Sequence, residues 1–210
     1  MKVVFSPSHI AHNPEYFVLA GQFAPSPECP DRAHRLISAI NVAGYEVLPP
    51  KDLGLRAISA VHPSDYLNFL RNGYTEWEIL TNRGPAIIPN THPGRYMTRR
   101  PEAIIGKAGY NMGDTACTIL PATSGAALAS AQAALTAADL VLHGAHEAYA
   151  LCRPPGHHAY SDQAGGFCFL NNVAIATQEM RSRADRVAIL DVDVHHGNGT
   201  QGIFYDREDL

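Results

Sequence analysis

Apolar positions in the first half of the chain alternate between short continuous runs and longer stretches with helical spacing. The run at 2–5 and the segment EVLPP at 46–50 predict strands, because each is short, apolar and bounded by polar or turn residues. A helix is predicted between them over 31–44, and a second helix over 63–73. The first helix has its apolar residues at helical spacing: Ala33, Leu36, Ile37 and Ile40.

The second half of the chain repeats this alternation. A long alanine-rich helix is predicted after 122, where Thr123 or Ser124 can supply the N-cap and Gly144 the stop. The segment AYALCRPP predicts a short buried strand that is ended by its prolines. NNVAIATQEMRS predicts another helix, and RVAILDVDV at 186–194 predicts a strand with an almost continuous apolar start.

Strands that alternate with helices predict an α/β fold: one domain over 1–210 with a parallel sheet flanked by helices on both faces. The pattern fades over 83–121, which is dense in Gly, Pro and Arg. A structureless stretch of this length is uncommon inside a compact domain, so we expect a functional loop or an interface arm. Ligands of such sheets bind at the carboxyl ends of strands, where both His-rich segments of this chain lie.

Composition narrows the class of partner. The chain has 46% hydrophobic and 17% charged residues and a formal net charge of −4, so no basic stripe is offered to nucleic acid or to an anionic membrane. A neutral or cationic small substrate suits this balance better. The opening MKVVF does not fit a signal peptide, and we expect no membrane-spanning helix. Four cysteines without a C-x-x-C pair predict reduced thiols and a cytoplasmic location.

The segment DVDVHHGNGTQG at 191–202 permits two interpretations. GNGTQG fits the G-x-G-x-x-G dinucleotide fingerprint, but two carboxylates beside a pyrophosphate would repel it. The alternative is a metal site, because alternate residues of a strand share a face and Asp191, Asp193 and His195 would point the same way. A carboxylate with a neutral imidazole suits zinc or iron(II). A turn-capping Asp and a core His would explain the same residues without a metal.

Two further motifs favour a catalytic site. RPPGHHA places His157 and His158 after a strand and two prolines, where one imidazole can take a proton and the other can stabilise charge. A His-His pair taken alone is usually only a polar loop. GGFCFLNN follows, where Gly165 and Gly166 permit a close approach to the backbone and Phe167 can form the wall of a slot. A glycine turn that leads into a buried aromatic residue would explain this motif equally well.

Together, RPPGHHA, GGFCFLNN and LDVDVHHGNGTQ resemble the histone-deacetylase-like amidohydrolases, and most of all the acetylpolyamine amidohydrolase branch. The resemblance covers essentially the whole chain, including VHPSDYLNFL and SPECPDRAHRL. It implies an enzyme with one Zn²⁺ per subunit that hydrolyses the acetyl amide of acetylated amines and releases acetate. Acetylpolyamines are expected as substrates ahead of acetyl-lysine.

The resemblance implies a role for each matching residue. Asp193 and His195 match two zinc ligands. His157 and His158 match the tandem active-site histidines, with His158 as the general base and His157 as a stabiliser of charge. Asp191 matches the carboxylate that orients His157.

Other matches concern orientation, the substrate tunnel and a second cation. Asn198 stands where some relatives carry Asp, and its amide would orient His158. Gly166 and Phe167 match the substrate tunnel. Part of a structural K⁺ site is matched by three backbone carbonyls: those of Asp191, Asp193 and His195.

The segment 83–121 resembles an insertion that, in the polyamine branch, forms a dimer contact and narrows the active-site channel. A homodimer is therefore implied. Asp114 lies where a carboxylate could meet the distal ammonium of a polyamine, although an acidic loop residue is more often merely solvated.

The chain departs from the family pattern towards Leu210. The family's third zinc ligand, an Asp on a later strand, and its transition-state tyrosine have no matching position, and two protein ligands are one short of a catalytic zinc site. A sheet without its later strands would have an apolar edge that favours self-association. The main hypothesis is that this sequence is the larger part of a zinc deacetylase. The alternatives are a catalytically incomplete homologue that serves as a binding or dimerisation module, and a manganese ureohydrolase, which would need further Asp-rich motifs.

Overall fold

A computed structural model describes residues 1–93 and 97–209. The strands are β1 (Lys2–Val4), β2 (Tyr16–Leu19), β3 (Gln22–Pro25), β4 (Glu46–Leu48) and β5 (Ala148–Ala150). The α-helices are α1 (Pro30–Val42), α2 (Arg56–Val61), α3 (Ser64–Glu78), α4 (Ile104–Asn111), α5 (Thr123–Leu142), α6 (Asn172–Met180) and α7 (Asn198–Phe204). A 3-10 helix covers Pro7–Ala11.

The central sheet is parallel and has the order β4-β1-β5. Val3 and Val4 of β1 are fully buried and face opposite sides of the sheet, as successive strand residues do. Val3 packs in a cluster with α1, whereas Val4 packs against α5. Helices therefore cover both faces of the sheet, and the predicted α/β class is confirmed.

The largest hydrophobic cluster lies among α2, α3, α4, α5 and α6. Tyr66 is fully buried within it, and its hydroxyl donates to the carbonyl of Phe169 at 2.6 Å. Ile87 and Met112 are also fully buried there. The Gly- and Pro-rich segment that contains these two residues is therefore part of the core.

The segment 83–121 has more structure than its sequence predicts. Apart from 94–96, which lie outside the described residues, it contains α4, so the expectation of a structureless loop is wrong there. The two glycines of α4 lower its helical propensity and obscure its pattern. The helix forms because Ile104 and Ala108 are buried and the helix packs on α3.

Helix α3 continues through Gly73, where the sequence predicts its end. A Cβ added at Gly73 would lie 3.2 Å from a ring carbon of Phe69, so this glycine permits close packing. The hairpin β2–β3 and the helices α2 and α7 have no counterpart in the sequence prediction. All three are short, and short elements carry a weak periodic signal.

Helix α5 is long and apolar enough to cross a membrane by length and composition alone, which corrects the expectation that no such helix exists. However, 61% of its apolar window is buried inside the fold, which identifies a core helix. Its N-cap is Ala122, and neither predicted residue caps it. Thr123 is buried instead, where its Oγ1 accepts from Leu120 N at 2.8 Å and lies 2.9 Å from His12 Nδ1.

Residues 186–194 do not form the predicted strand. Within the described part of the chain, no strand pairs with this segment. Leu190, Val192 and Val194 are 89%, 87% and 93% exposed. Because a strand requires a hydrogen-bonded neighbour, the apolar pattern alone does not produce one. These exposed apolar side chains therefore lie outside the sheet, which among the described residues has β5 as an unpaired edge strand.

We expect the 210-residue chain to self-associate through these side chains, since exposed apolar edges favour strand pairing. Replacing Val192 and Val194 with Lys should reduce the oligomeric fraction in size-exclusion chromatography with light scattering. Val42→Lys is the matched control, because Val42 is also 87% exposed but lies at the end of α1. Equal association of the wild type and the double variant would contradict this prediction.

Three buried histidines should make the fold sensitive to acid. Burial lowers the pKa of His9 to about 4, of His12 to about 3 and of His62 to about 4. In the unfolded chain these groups titrate near 6.5. The stability that these neutral buried rings contribute to the fold is therefore fully present above about pH 6.5. It is lost as the pH falls towards 4, because only the unfolded state then binds the protons.

The expected loss is about 1.4 kcal/mol of unfolding free energy per pH unit for each histidine. Denaturant titrations followed by the fluorescence of Trp77 between pH 7 and pH 4.5 would measure it, since Trp77 is the one tryptophan in the sequence. His62→Gln should remove about a third of the slope, whereas the exposed His34→Gln should leave it unchanged. A slope that His62→Gln does not alter would exclude a role for this buried ring.

Candidate active site

The tandem histidines lie on a loop whose backbone is anchored in the interior. The carbonyl of Pro154 accepts from Ser130 Oγ at 2.8 Å and from Asn172 Nδ2 at 3.1 Å. The carbonyl of His157 accepts from Thr200 N at 3.1 Å. Buried backbone groups require such partners. These bonds therefore fix the positions from which the two imidazoles project.

A buried ion pair holds the start of the same loop. Arg153 Nε lies 2.8 Å from Glu28 Oε1, and the two side chains are only 2% and 4% exposed. The guanidinium also donates to the carbonyl of His9. Burial raises the pKa of the Glu28 carboxyl, although the neighbouring Arg153 charge acts in the opposite direction. The sequence analysis assigned no role to this pair, because Glu28 and Arg153 are 125 positions apart in the sequence.

His157 is oriented by Asp191, as the sequence predicts. Its Nδ1 lies 2.9 Å from Asp191 Oδ2, and the ring N–H must donate because a carboxylate only accepts. Partial burial opposes ionisation of Asp191, but the N–H of Asp193 and the His157 ring outweigh it and hold the carboxyl pKa below its usual value. With Nδ1 protonated, Nε2 of His157 carries the free lone pair.

His158 is oriented by Asn198, the first residue of α7. Its Nδ1 lies 2.5 Å from Asn198 Oδ1, and Asn198 Nδ2 donates to Tyr160 Oη at 3.3 Å. The rings of His157 and His158 are 4.0 Å apart between centroids. Because the amide is neutral and the carboxylate of Asp191 is charged, the two neighbouring histidines have electrostatically different partners.

Asp193 and His195 lie next to these rings. Asp193 Oδ1 accepts from His195 N at 2.8 Å and lies 2.9 Å from His195 Nδ1. These two contacts hold the pKa of the Asp193 carboxyl below its usual value. The His195 ring is 6.0 Å from the His158 ring between centroids. Both Asp193 and His195 are exposed, so both are accessible to a ligand.

The donor set of these two residues fits part of a zinc site. A carboxylate oxygen and an imidazole nitrogen within 3 Å of each other are ligand types that zinc takes. No group of three or more His, Cys, Asp or Glu side chains suited to a metal is found among the described residues. The chain therefore supplies two candidate ligands, and a catalytic zinc normally has three from protein.

Gly166 and Phe167 form a tight turn against His158. Gly165 and Cys168 exchange backbone hydrogen bonds across it at 3.1 and 2.8 Å, and the two central residues have φ of 52° and 67°. Two positive φ angles in succession are typical of a type I′ turn. A Cβ at Gly166 would lie 2.1 Å from His158 Cδ2, so only glycine fits there. Phe167 adopts a backbone conformation that is unfavourable for a residue with a side chain, and surrounding contacts must enforce it.

Asp114 lies behind this turn. Its Oδ2 accepts from Gly166 N at 2.7 Å, and its Oδ1 accepts from Ala116 N at 2.9 Å and Cys117 N at 3.2 Å. Both carboxylate oxygens are therefore engaged with backbone N–H groups. The predicted contact of Asp114 with a polyamine ammonium stays a prediction.

Phe17 is a neighbour of the candidate site that the sequence analysis did not identify. Its ring lies 5.6 Å from that of Phe167 between centroids, in an edge arrangement. Phe17 belongs to β2, whose Val18 carbonyl accepts from Thr115 Oγ1 at 2.8 Å. The insertion thereby holds the hairpin that carries Phe17. Neither a motif nor a periodic pattern marks this residue, because its contact arises only in the folded chain.

A cavity of about 990 Å³ connects these groups with the unpaired edge of β5. Its polar lining includes His157, His158, Asp191, Asp193 and His195. Its remaining walls come mainly from apolar residues of α1, α5, α6 and the segment 189–192. Only the end of this cavity that is lined by these His and Asp side chains belongs to the candidate site, since its other walls are the unpaired edge of β5 and the inner faces of helices.

Comparison with known proteins shows which family the chain belongs to. A family model for the histone deacetylase domain matches residues 26–210. The chain is 43% identical to an "Acetylpolyamine amidohydrolase" of Burkholderia pseudomallei, an alignment that covers 100% of this chain and 61% of the relative. It is 42% identical to an "Acetylpolyamine amidohydrolase" of Mycoplana ramosa, with 100% and 62% coverage. The chain thus spans about three fifths of the length of these relatives.

Solved structures show the same relationship. The crystal structure of an acetylpolyamine aminohydrolase from Burkholderia pseudomallei superimposes with a TM-score of 0.96 at 42% identity, and covers 100% of this chain and 61% of that chain. The HDA15 HD domain superimposes with a TM-score of 0.74 at 25% identity, over 99% of this chain and 51% of that chain. From its fold, its site and these matches, we conclude that the chain belongs to the histone deacetylase family.

Proposed function

We propose that the protein containing this chain hydrolyses the acetyl amide of acetylated amines and releases acetate. The observation that carries this proposal is the pair of adjacent imidazoles, each bonded through Nδ1 to a side-chain oxygen, beside Asp193 and His195. Such an arrangement leaves an Nε2 lone pair on each ring for proton transfer. The family relationship supports an amide hydrolase over the other hypotheses drawn from the sequence.

In this proposal the two histidines have different roles. His158, with a neutral Asn198 partner, takes a proton from the attacking water and returns it to the leaving amine. His157, whose partner Asp191 is a carboxylate, stabilises positive charge on its ring and so balances the developing oxyanion.

Asp193 and His195 would hold the zinc ion, with a third ligand from outside the described residues. Zinc would supply Lewis-acid polarisation of the acetyl carbonyl. The backbone carbonyls of Asp191, Asp193 and His195 would contribute to a K⁺ site, as the resemblance implies. These assignments rest on the donor types and on the match of the residues to the family pattern.

Acetylpolyamines are the proposed substrates ahead of acetyl-lysine. The relatives with 42–43% identity along the whole chain carry acetylpolyamine amidohydrolase in their names. The net charge of −4 also suits a cationic amine as the substrate. Phe17 and Phe167 give the site an apolar wall that fits methylene groups. A homodimer with 83–121 at its contact and a cytoplasmic location are also part of this proposal.

Replacement of His158 by Ala should abolish most of the hydrolysis by the complete protein. We expect kcat to fall by about 10²- to 10⁴-fold with little change in KM, because a general base acts in the transition state. Acetate release from an acetylated diamine would measure this change. His146→Ala is the control, since His146 is exposed and lies outside the site. If kcat of His158→Ala stayed near that of the wild type, another group would have to be the base.

Zinc content separates the catalytic proposal from the binding-module alternative. After dialysis against a weak chelator, the complete protein should retain about one zinc per chain and lose it on replacement of Asp193 by Ala, as measured by elemental analysis. The 210-residue chain, with two candidate ligands among its described residues, should lose its zinc. Zinc loss from the complete protein would favour a binding module, and one zinc retained per 210-residue chain would show that a third ligand is already available to it.

A further inference from the structure

The turn that carries Phe167 has one carboxylate behind it and one imidazole in front of it. The Gly166 N–H donates to Asp114 Oδ2 at 2.7 Å, a distance typical of a charge-assisted hydrogen bond. On the other side, the position of a Gly166 Cβ lies within 3.0 Å of three His158 atoms. The turn is therefore held between Asp114 and the ring that we propose as the general base.

The conformation of this turn needs such an anchor. Phe167 has a φ of 67°, and a left-handed residue with a side chain persists only where its surroundings enforce it. The cross-turn bonds of Gly165 and Cys168 leave the Gly166 N–H without a partner inside the turn. Asp114 supplies that partner. Its other oxygen accepts from Ala116 N and Cys117 N, which fixes the carboxylate in place.

We propose that Asp114 is a positioning residue: it sets the place of Phe167 in the substrate slot through its bond to Gly166. Two backbone bonds beside it tie the same segments together, from Gly113 N to the Ala164 carbonyl at 2.7 Å and from Ala164 N to the Asn111 carbonyl at 2.8 Å. Asp114 therefore couples the insertion 83–121 to the wall of the slot.

This role differs from a contact with the distal ammonium of a polyamine. An ammonium contact would direct a carboxylate oxygen at the substrate, whereas in the positioning role both oxygens of Asp114 act on backbone N–H groups of the chain itself. In the positioning role, the effect of Asp114 does not depend on a charge at the far end of the substrate. The kinetic consequence rests on the proposed function, and the structural consequence does not.

Asp114→Asn in the complete protein tests the structural consequence. An amide accepts only through its oxygen, so the variant cannot serve both Gly166 N and the pair Ala116 N and Cys117 N. We expect hydrogen exchange of the Gly166 or the Cys117 amide, measured by NMR, to accelerate by about tenfold or more, as loss of one such bond predicts. Exchange of Val3 in the central sheet shows whether the fold is intact.

Asp52→Asn is the matched control. Asp52 Oδ1 accepts from Gly54 N at 2.9 Å, so it makes the same kind of carboxylate-to-glycine bond at an exposed position away from the slot. An Asn there can keep this bond through its oxygen, and the variant removes the same charge. We expect no change in exchange at Gly166 for this control. Unchanged exchange at both Gly166 and Cys117 in Asp114→Asn would overturn the proposal.

The kinetic test uses the complete protein and two substrates of equal chain length, an acetylated diamine and an acetylated monoamine without the distal ammonium. Asp114→Asn should lower kcat/KM about tenfold for both substrates by the same factor, because Phe167 is misplaced for both. A loss confined to the diamine would overturn the positioning role in favour of an ammonium contact. If the wild type hydrolysed neither substrate, the proposed function would fail, while the exchange measurement would still decide the role of Asp114.

Discussion

Asn171 is the residue on which the arrangement of the site depends, because it satisfies several buried backbone groups at once. Its N–H donates to His62 Nε2 at 3.0 Å, and its Oδ1 accepts from Ala174 N at 3.0 Å and so caps α6. Its Nδ2 donates to the carbonyl of Ala159 at 3.0 Å and to Thr200 Oγ1 at 3.1 Å. The loop that carries His157 and His158 is thus joined to α6 and α7 through one fully buried amide. Loss of any of these hydrogen bonds would leave a buried polar group without a partner, which costs stability.

This scaffold gives the two histidines of the site different partners. The loop with His157 and His158 is held on one side, and α7 with Asn198 on the other, so each ring faces one fixed partner. His157 has the carboxylate of Asp191 as its partner, and His158 has the neutral amide of Asn198. The turn of Gly166 and Phe167 then fits against His158 only because glycine has no Cβ. The proposed base, the proposed charge stabiliser and the turn of Phe167 are therefore positioned by one connected set of contacts.

The segment 186–194 forms no strand for a similar reason. Its apolar alternation is strong, but a strand needs a hydrogen-bonded neighbour, and the unpaired edge of β5 lies across the cavity from this segment. The candidate ligands Asp193 and His195 lie at its end and are exposed. The relatives that share the fold are longer, since this chain covers 61–62% of them.

The sequence by itself determined the α/β class and the core helices α1, α5 and α6, and it predicted the residues of the candidate site. Their apolar spacing and their three motifs are local properties, and local spacing decides which face of an element is buried. Tertiary structure alone decided the roles of Phe17, Asn171 and Glu28, because each acts through a partner far away in the chain. It also decided that Gly73 lies inside a helix and that α4 forms despite its glycines, since packing on neighbouring helices outweighs weak local propensity.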